Sequence, residues 1–271
     1  MPELPEVETA RRGLDPHLTG RTITAATFYA DKLRHVIDSS LSQQLPGICI
    51  DAVERRGKYL LLRSGAGTLI LHLGMTGHLL LLPSEEPPSR HDRMDLLLDS
   101  GLVLRFSDPR RFGTIVWAEG DPHTHPLLAQ LGPEPLDAGF NDPYLYTICR
   151  GRRRPIKTLL LDSHLVAGLG NIYAAEALFR AGIHPATPAG DLDGERCGHL
   201  TLAIREVLGE ALARGESAVS HFIGNHLQPG YFPLQSGVYG RRGLPCFRCG
   251  TILVGMRQGG RSTVFCPSCQ T

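Results

Sequence analysis

Two groups of residues in this chain have types and spacings that could do chemistry. The first lies near the C-terminal end, where "CFRC" at 246–249 and "CPSC" at 266–269 form two C-x2-C pairs sixteen residues apart. Four thiolates at that spacing reach the corners of a tetrahedron around one Zn²⁺, so Cys246, Cys249, Cys266 and Cys269 are the expected ligands. Four protein ligands leave no open position for water, which makes the metal structural. A pair of disulfides is the competing reading, and an intracellular chain disfavours it. The second group opens the chain. "MPELPEVETA" places Pro2 behind the initiator Met and carboxylates at Glu3, Glu6 and Glu8. Removal of Met1 before a small residue exposes a secondary amine at Pro2, a potential nucleophile. The competing reading is an irregular start followed by the solvated first turn of a helix. These ten residues leave both readings open.

Composition narrows the partners. A length of 271 residues suits one large domain or two ordinary ones, and 42% hydrophobic residues support buried cores. No apolar run approaches the roughly 18 residues of a membrane span. The start carries no basic stretch followed by an apolar one, so no secretory signal is expected. The expected location is cytoplasmic and associated with the nucleoid. The net charge of +1 conceals an asymmetry: residues 217–271 hold five Arg and no Asp, Glu or Lys, while residues 1–216 hold 23 basic and 27 acidic residues. A basic end on a near-neutral chain points to a polyanion. The remaining cysteines, Cys49, Cys149 and Cys197, are scattered and read as reduced thiols.

The elements that must position these groups change character along the chain. Residues 5–14 read as a short helix with Pro5 in its first turn. Strand-like runs follow: "TITAATFY", "ICIDAVERR", "KYLLLRSG", "TLILHLGMTGHLLLLP", "MDLLLDSGLVLRFSD" and "TIVWAEG", with "DSG" at 99–101 as a hairpin turn. Many short strands with few helices predict an antiparallel sandwich or barrel through about residue 120. After "LGPEPLD" the periodicity becomes helical, at 142–150, 155–162, 171–181 and 193–214, with Gly215 as a stop. Residues 217–236 read as loop-rich, and the cysteines sit on short strand pairs, a zinc ribbon. The expected boundaries are 1–133, 134–236 and 237–271.

Three further stretches gain meaning together. "RGRRRPIK" at 150–157 puts five cations ahead of a helix, and "GLGNIYAAEALF" at 168–179 sets a Gly-rich turn at the start of another. Backbone N–H groups at such a helix start attract phosphate oxygens. "HLGMTG" at 72–77 and "DPRRFG" at 108–113 fall at strand ends. Met75, Arg110 and Phe112 then offer a flexible apolar side chain, a planar cation and an aromatic wedge, groups able to fill a stack from which a nucleotide has been extruded.

"MPELPEVE", "HLGMTG", "DPRRFG", "LGNIYAAEALFRAGIHP", "PGYF" and the C-x2-C-x16-C-x2-C tail occur in this order along the whole chain. In this the chain resembles the bacterial formamidopyrimidine-DNA glycosylases. The related endonuclease VIII family typically has Gly where this chain has Leu4 and lacks the "GMTG" and "DPRRFG" pair, so the resemblance favours the purine-directed branch. It implies an α+β fold of several domains: an N-terminal antiparallel β-sandwich flanked by helices, a helix–two-turns–helix domain and a C-terminal zinc β-ribbon. It implies a monomer acting on damaged double-stranded DNA, no membrane, and one structural Zn²⁺. By the same resemblance Pro2 is the nucleophile, Glu3 the proton shuttle and Glu6 a carboxylate lining the base pocket. Lys58 is the proton donor in β-elimination, and Arg261 serves δ-elimination and phosphate contact. His91, Arg110 and Arg152 contact DNA, with Lys157, Asn171 and His72 on the phosphate side. The segment "SAVSHFIGNHLQ" at 217–228 is expected to close over an extruded base.

The implied activity is that of a bifunctional glycosylase and AP lyase for oxidised purines, 8-oxoguanine and formamidopyrimidines. Two other readings remain at this stage: an endonuclease VIII-type enzyme for oxidised pyrimidines, and a non-catalytic zinc-ribbon protein that recognises lesions.

Overall fold

The computed structural model describes residues 1–219 and 236–271, with side chains up to Gly215 and again from Ser236. The first helix, α1, spans Leu4–Leu18 and carries Pro5 in its first turn, where a missing N–H costs nothing. Val7, Ala10, Leu14 and Leu18 are buried along one face. The expected span of 5–14 stops a turn short. Pro16 lies inside the helix, and the fully buried Leu18 anchors the extension.

Eight strands follow, with one short helix between the first two: β1 (Ile23–Phe28), α2 (Leu41–Gln44), β2 (Ala52–Arg56), β3 (Tyr59–Ser64), β4 (Gly67–His72), β5 (His78–Pro83), β6 (Asp92–Leu98), β7 (Leu102–Ser107) and β8 (Thr114–Ala118). They form two antiparallel sheets, ordered β1-β6-β7-β5 and β2-β3-β4-β8. One core takes side chains from both: Leu79, Leu81, Met94, Leu96 and Phe106 from the first sheet, and Leu60, Leu62, Leu69, Leu71 and Ile115 from the second. Alternate residues point inward, as strand geometry requires of a sandwich. The DSG turn joins β6 to β7, with Gly101 at φ +80.

"TLILHLGMTGHLLLLP" is not one element. β4 ends at His72 in one sheet, and β5 starts at His78 in the other. Gly74, at φ +62, makes the turn, and Gly77 N–H donates to Leu73 O at 2.8 Å. The chain thus crosses between sheets through Leu73–Gly77, which exposes Met75 at the crossing.

The chain divides into two compact units. The first comprises Met1–Ala129, which ends in the short α3 (Pro126–Ala129), and, among the described residues, 212–219. The second comprises Gln130–Ala211 and the described residues from Ser236 onward. It contains α4 (Asp142–Cys149), α5 (Ile156–Leu160), α6 (Asn171–Arg180), most of α7 (Gly194–Val219), and the ribbon strands β9 (Val254–Gln258) and β10 (Arg261–Phe265). Asn141 caps α4 by accepting from Tyr144 N–H at 3.0 Å. Gly215 does not stop α7, which continues to Val219. The glycine answers a packing need instead, because a Cβ there would overlap the Thr9 hydroxyl of α1.

The ribbon shares a small core with α6. Val238, Leu253, Val264, Cys246 and Cys266 pack with Ala175 and Phe179. The buried Glu176 of α6 accepts from the backbone N–H groups of Gly237, Val238 and Tyr239 at 2.7, 3.1 and 2.7 Å. No helix among the described residues is long and apolar enough to cross a membrane.

Candidate active site

In the first unit the opening segment is built, not solvated. Glu3 is 1% exposed and Glu6 is 9% exposed. Glu3 is the N-cap of α1, and its N–H donates to Glu6 Oε2 at 2.8 Å, one arm of a capping box. This fixes the backbone one residue beyond Pro2, which is half-buried. Glu8 is held by Arg11 at 3.0 Å, Arg12 at 2.9 Å and Arg55 at 3.0 Å. Burial pushes its carboxyl up, but hydrogen bonds from Arg11 and Arg12 and the charges of Arg11 and Arg55 outweigh this and hold it below the usual range. A solvated first turn is therefore excluded.

The two strand-end loops lie side by side. A Cβ on Gly74 would fall 2.5 Å from the carbonyl carbon of Phe112 and 2.6 Å from Gly113 N, so only glycine allows this approach. Asp108, fully buried, ties them together. Its Oδ1 accepts from the Thr76 hydroxyl at 3.0 Å and from Arg110 N–H at 3.3 Å, and its Oδ2 accepts from Gly113 N–H at 2.7 Å. Its backbone accepts from Arg93 Nε at 3.0 Å and donates to His91 O at 2.8 Å. Around this anchor Arg111 adopts φ +57, a conformation L side chains rarely take. The loop presents Arg110 over the Phe112 ring, 4.8 Å from its centroid. Met75 and Phe112 are 42% and 45% exposed, high for such apolar side chains.

His91 is half-exposed; its Nε2 accepts from Arg90 Nε at 3.0 Å. Lys58 is half-exposed, after Gly57 at φ +58, in the turn leading into β3. His72 sits one strand over, at the end of β4. Its Nδ1 accepts from Gly74 N–H at 2.9 Å, and its ring lies 4.8 Å from that of Tyr59. Burial first, then the charges of Lys58 and Arg34, lower its pKa to about 4. His72 is thus held as a neutral ring that supports the Gly74 turn and carries its proton on Nε2.

In the second unit the basic run is less free than its composition suggests. Arg150 donates to the Tyr146 hydroxyl at 2.7 Å, and Arg154 pairs with Asp162 at 3.2 Å. Arg152 and Arg153 are exposed. Lys157 differs from the expectation. It is 1% exposed, and its ammonium donates to Asn171 Oδ1 at 2.8 Å, Thr263 Oγ1 at 2.7 Å and Ser262 O at 3.4 Å. An ammonium has three donors, and these three acceptors face it within the unit. Asn171, at the first residue of α6, also donates from Nδ2 to Ser262 O at 3.1 Å. Lys157 and Asn171 thereby fix the strand that begins with Arg261. That arginine is exposed, just after Gly259 and Gly260 at φ +53 and +77.

The four cysteines converge as expected. Their Sγ atoms all lie within 4.8 Å of one another, with Cys246–Cys269 at 4.0 Å and Cys249–Cys266 at 3.5 Å. A Zn–S bond of about 2.3 Å gives tetrahedral S···S edges of about 3.8 Å, which these separations straddle. They are far too long for disulfides. Backbone N–H groups of Arg248 and Cys269 reach Cys246 Sγ and Cys266 Sγ at 3.4 Å, as thiolates favour. The donor set fits Zn²⁺ and would hold it with no position left for substrate.

Asp108 and Thr76 are the site residues that motif reasoning passed over. An Asp-Pro ahead of a tight turn is itself a signal for a carboxylate that bonds its own loop. The base-covering segment expected at 217–228 lies, from residue 220 on, outside the described residues, as does "PGYF".

A β-sandwich with a built Pro-Glu start, a helical unit and a four-cysteine ribbon defines a zinc-finger protein of three modules. Sequence models of known families match all three: the formamidopyrimidine-DNA glycosylase N-terminal domain over residues 1–115, the formamidopyrimidine-DNA glycosylase H2TH domain over 131–223, and the zinc finger found in FPG and IleRS over 243–271. A formamidopyrimidine-DNA glycosylase of Geotalea uraniireducens is 56% identical over 270 residues, covering 100% of both chains. The crystal structure of Lactococcus lactis FPG (MutM) with FAPY-dG-containing DNA superposes with a TM-score of 0.89 at 33% identity, over 99% of this chain and 100% of that one. The same enzyme bound non-covalently to AP-site DNA gives a TM-score of 0.87 at 33% identity, over 99% of each chain. The chain belongs to the formamidopyrimidine-DNA glycosylase family.

Proposed function

We propose that this protein is a base-excision repair enzyme, a bifunctional DNA glycosylase and AP lyase acting on oxidised purines in double-stranded DNA. End-to-end membership of the family, whose Lactococcus lactis member was captured on FAPY-dG and AP-site DNA, carries this reading. The geometry of the opening segment supports the chemistry assigned to it.

With Met1 removed, the Pro2 nitrogen attacks C1′ of the damaged nucleotide and the N-glycosidic bond breaks. The base leaves with that electron pair and takes a proton, for which Glu3 is the donor. The capping box that pins the Glu3 backbone holds the nucleophile's neighbour in place. The C1′–O4′ bond of the resulting aminal then breaks, with a proton delivered by Glu3 to the ring oxygen, and the secondary amine is left as an iminium ion, which withdraws electrons and acidifies the C2′ proton. Loss of that proton breaks the 3′ C–O bond, and a second elimination breaks the 5′ one. An α-amino group suits the task because its ordinary pKa is about 8, against about 10.4 for Lys, so more of it is neutral near pH 7. Lys58 serves the first elimination and Arg261 the second. Met75, Arg110 and Phe112 fill the stack that the extruded base leaves. His91, Arg152 and Asn171 hold the backbone, and Glu6 orients Glu3 while lining the pocket. Zinc supplies order to the ribbon.

Borohydride reduction during reaction tests this reading. Duplexes carrying 8-oxoguanine become covalently linked to the protein, and thymine glycol duplexes trap far more weakly. A protein that binds both without trapping is a lesion-recognition module; preferential trapping on thymine glycol makes it an endonuclease VIII-type enzyme.

A further inference from the structure

Strand β8 has an open edge inside an acidic groove. It is the last strand of its sheet and pairs with β4 on one side only. Of the three other edge strands, β2 and β1 are covered: Arg11 of α1 reaches Val53 O at 3.3 Å, and Ile23 exchanges backbone hydrogen bonds with Ile48 and Gly47. On the free side of β8, the segment between β1 and α2 closes only the start, through Arg34 N–H to Gly113 O at 3.0 Å. Among the described residues, nothing pairs with the outward backbone groups of Ile115–Ala118. Open edges of this kind are templates for another strand unless a protein blocks them.

The edge forms the floor of a groove of about 620 Å³. Val36, 70% exposed, and the half-buried Trp117 give it an apolar wall. Asp38, Glu119 and Asp121 line it, and neither Lys nor Arg does. The nearby Arg34 cation acts instead on Tyr59 and His72, at the Thr114 end of the strand. Three carboxylates without a counter-charge repel nucleic acid, so this face is not part of a DNA interface. They match a cationic segment.

We propose that the β8 edge is a docking site for an extended, basic peptide segment of a partner protein, added to the sheet as a further strand. Its backbone pairs with Ile115–Ala118, an aliphatic side chain enters between Val36 and Trp117, and Lys or Arg side chains face Asp38, Glu119 and Asp121. The paired stretch is about four or five residues, roughly 15 Å at the rise of a strand. Main-chain hydrogen bonds supply affinity and the charged rim supplies selectivity.

Trp117 is the single tryptophan of the chain and reports occupancy directly. The probe is the blocked peptide Gly-Lys-Val-Lys-Ile-Lys-Val-Gly, titrated into the full-length protein while tryptophan emission is followed. A saturable change is expected. Methylating two adjacent central backbone nitrogens, which blocks both edges of the peptide and keeps its charge, weakens binding about tenfold. Replacing the lysines by glutamates abolishes it. Glu119→Lys weakens it about fivefold and leaves base excision unchanged. No saturable change up to millimolar peptide overturns the proposal, as does a change insensitive to backbone methylation, which would mark charge adsorption. Self-association that competes with the peptide would assign the edge to a second copy of this chain, and equally overturns it.

Discussion

Thr76 and Asp108 join the two loops that carry the stack-filling side chains, hydroxyl to carboxylate at 3.0 Å. The residues are 32 apart in sequence and lie in the two loops that cross between the sheets, β4 to β5 and β7 to β8. The same carboxylate takes the Gly113 N–H at 2.7 Å and stays fully buried. Asp108 is therefore the residue on which the placement of Met75, Arg110 and Phe112 depends. Asp108→Ala leaves buried donors without partners, at about 1–3 kcal/mol each. The expected loss is about 3 kcal/mol in denaturant unfolding. Asp108→Asn keeps one carbonyl acceptor and is milder, about 1–2 kcal/mol. Its informative readout is activity on two substrates. Excision from an 8-oxoguanine duplex falls about tenfold, while cleavage at a preformed abasic site, where no base must be expelled, falls little, because the cost of extrusion is a few kcal/mol. Arg110→Ala and Met75→Ala act in the same direction. Equal losses on both substrates would mean a fold defect rather than a void-filling role.

Particular residues show where the sequence was readable. The ribbon was legible because one metal dictates the spacing of four cysteines. The sandwich was legible because short apolar runs bounded by a turn signal mark strands, as in β6 and β7 around their DSG turn. The start of α1 was legible in kind, but not the burial of Glu3 and Glu6, which comes from packing and not from the local pattern. The burial of Lys157 is not legible for a similar reason. Its partner Thr263 lies 106 residues away, and nothing in "RGRRRPIK" indicates which of five cations turns inward. Gly215 read as a helix stop because a glycine that permits a close approach looks the same in sequence as one that ends a helix.

The N-terminus gives the second prediction. A residue or tag left ahead of Pro2 places the nucleophilic nitrogen in an amide. Strand cleavage and borohydride trapping should both be lost, while binding to an abasic duplex stays within about threefold, since no charge on the phosphate side changes. Pro2→Gly leaves a primary amine and retains partial lyase activity. Mass spectrometry fixes the N-terminal state of each preparation. Normal turnover by protein shown to retain Met1 would sink the covalent mechanism.

His72 sets a pH dependence of stability. Its folded pKa is lowered from 6.5 to about 4, first by burial and then by Lys58 and Arg34. Between these values the unfolded chain binds a proton that the folded one does not, so stability rises with pH. The contribution is complete above pH 6.5 and is lost progressively as pH falls toward 4, by roughly 3 kcal/mol at most. Urea midpoints measured from pH 7.5 to 4.5 should fall more steeply for the wild type than for His72→Gln. Parallel slopes would show that the ring is not held neutral.

The last prediction separates the ribbon's metal from its arginine. Four thiolates bind Zn²⁺ with apparent energies of about 10–16 kcal/mol near neutral pH, and that energy is folding energy for a segment with little core of its own. Cys249→Ser should lose the metal and disorder the hairpin that presents Arg261. The sandwich keeps its own core, and so does the helical part beneath the ribbon, so most of the circular dichroism signal survives. Duplex binding should fall at least about a hundredfold, because the ribbon's phosphate contacts disappear together. Arg261→Ala should differ in every respect but one: zinc retained, the fold unchanged, and binding weakened with a salt slope lower by roughly one counterion. Lys157→Met discriminates further. It removes the donor to Asn171, Thr263 and Ser262. Zinc content should hold and the salt slope should stay near that of wild type, while δ-elimination slows as Arg261 loses its fixed position. Zinc content by mass spectrometry, binding titrations at several salt concentrations and product analysis on abasic duplex provide the three readouts. A drop in salt slope for Lys157→Met equal to that for Arg261→Ala would show that the lysine meets a phosphate after all.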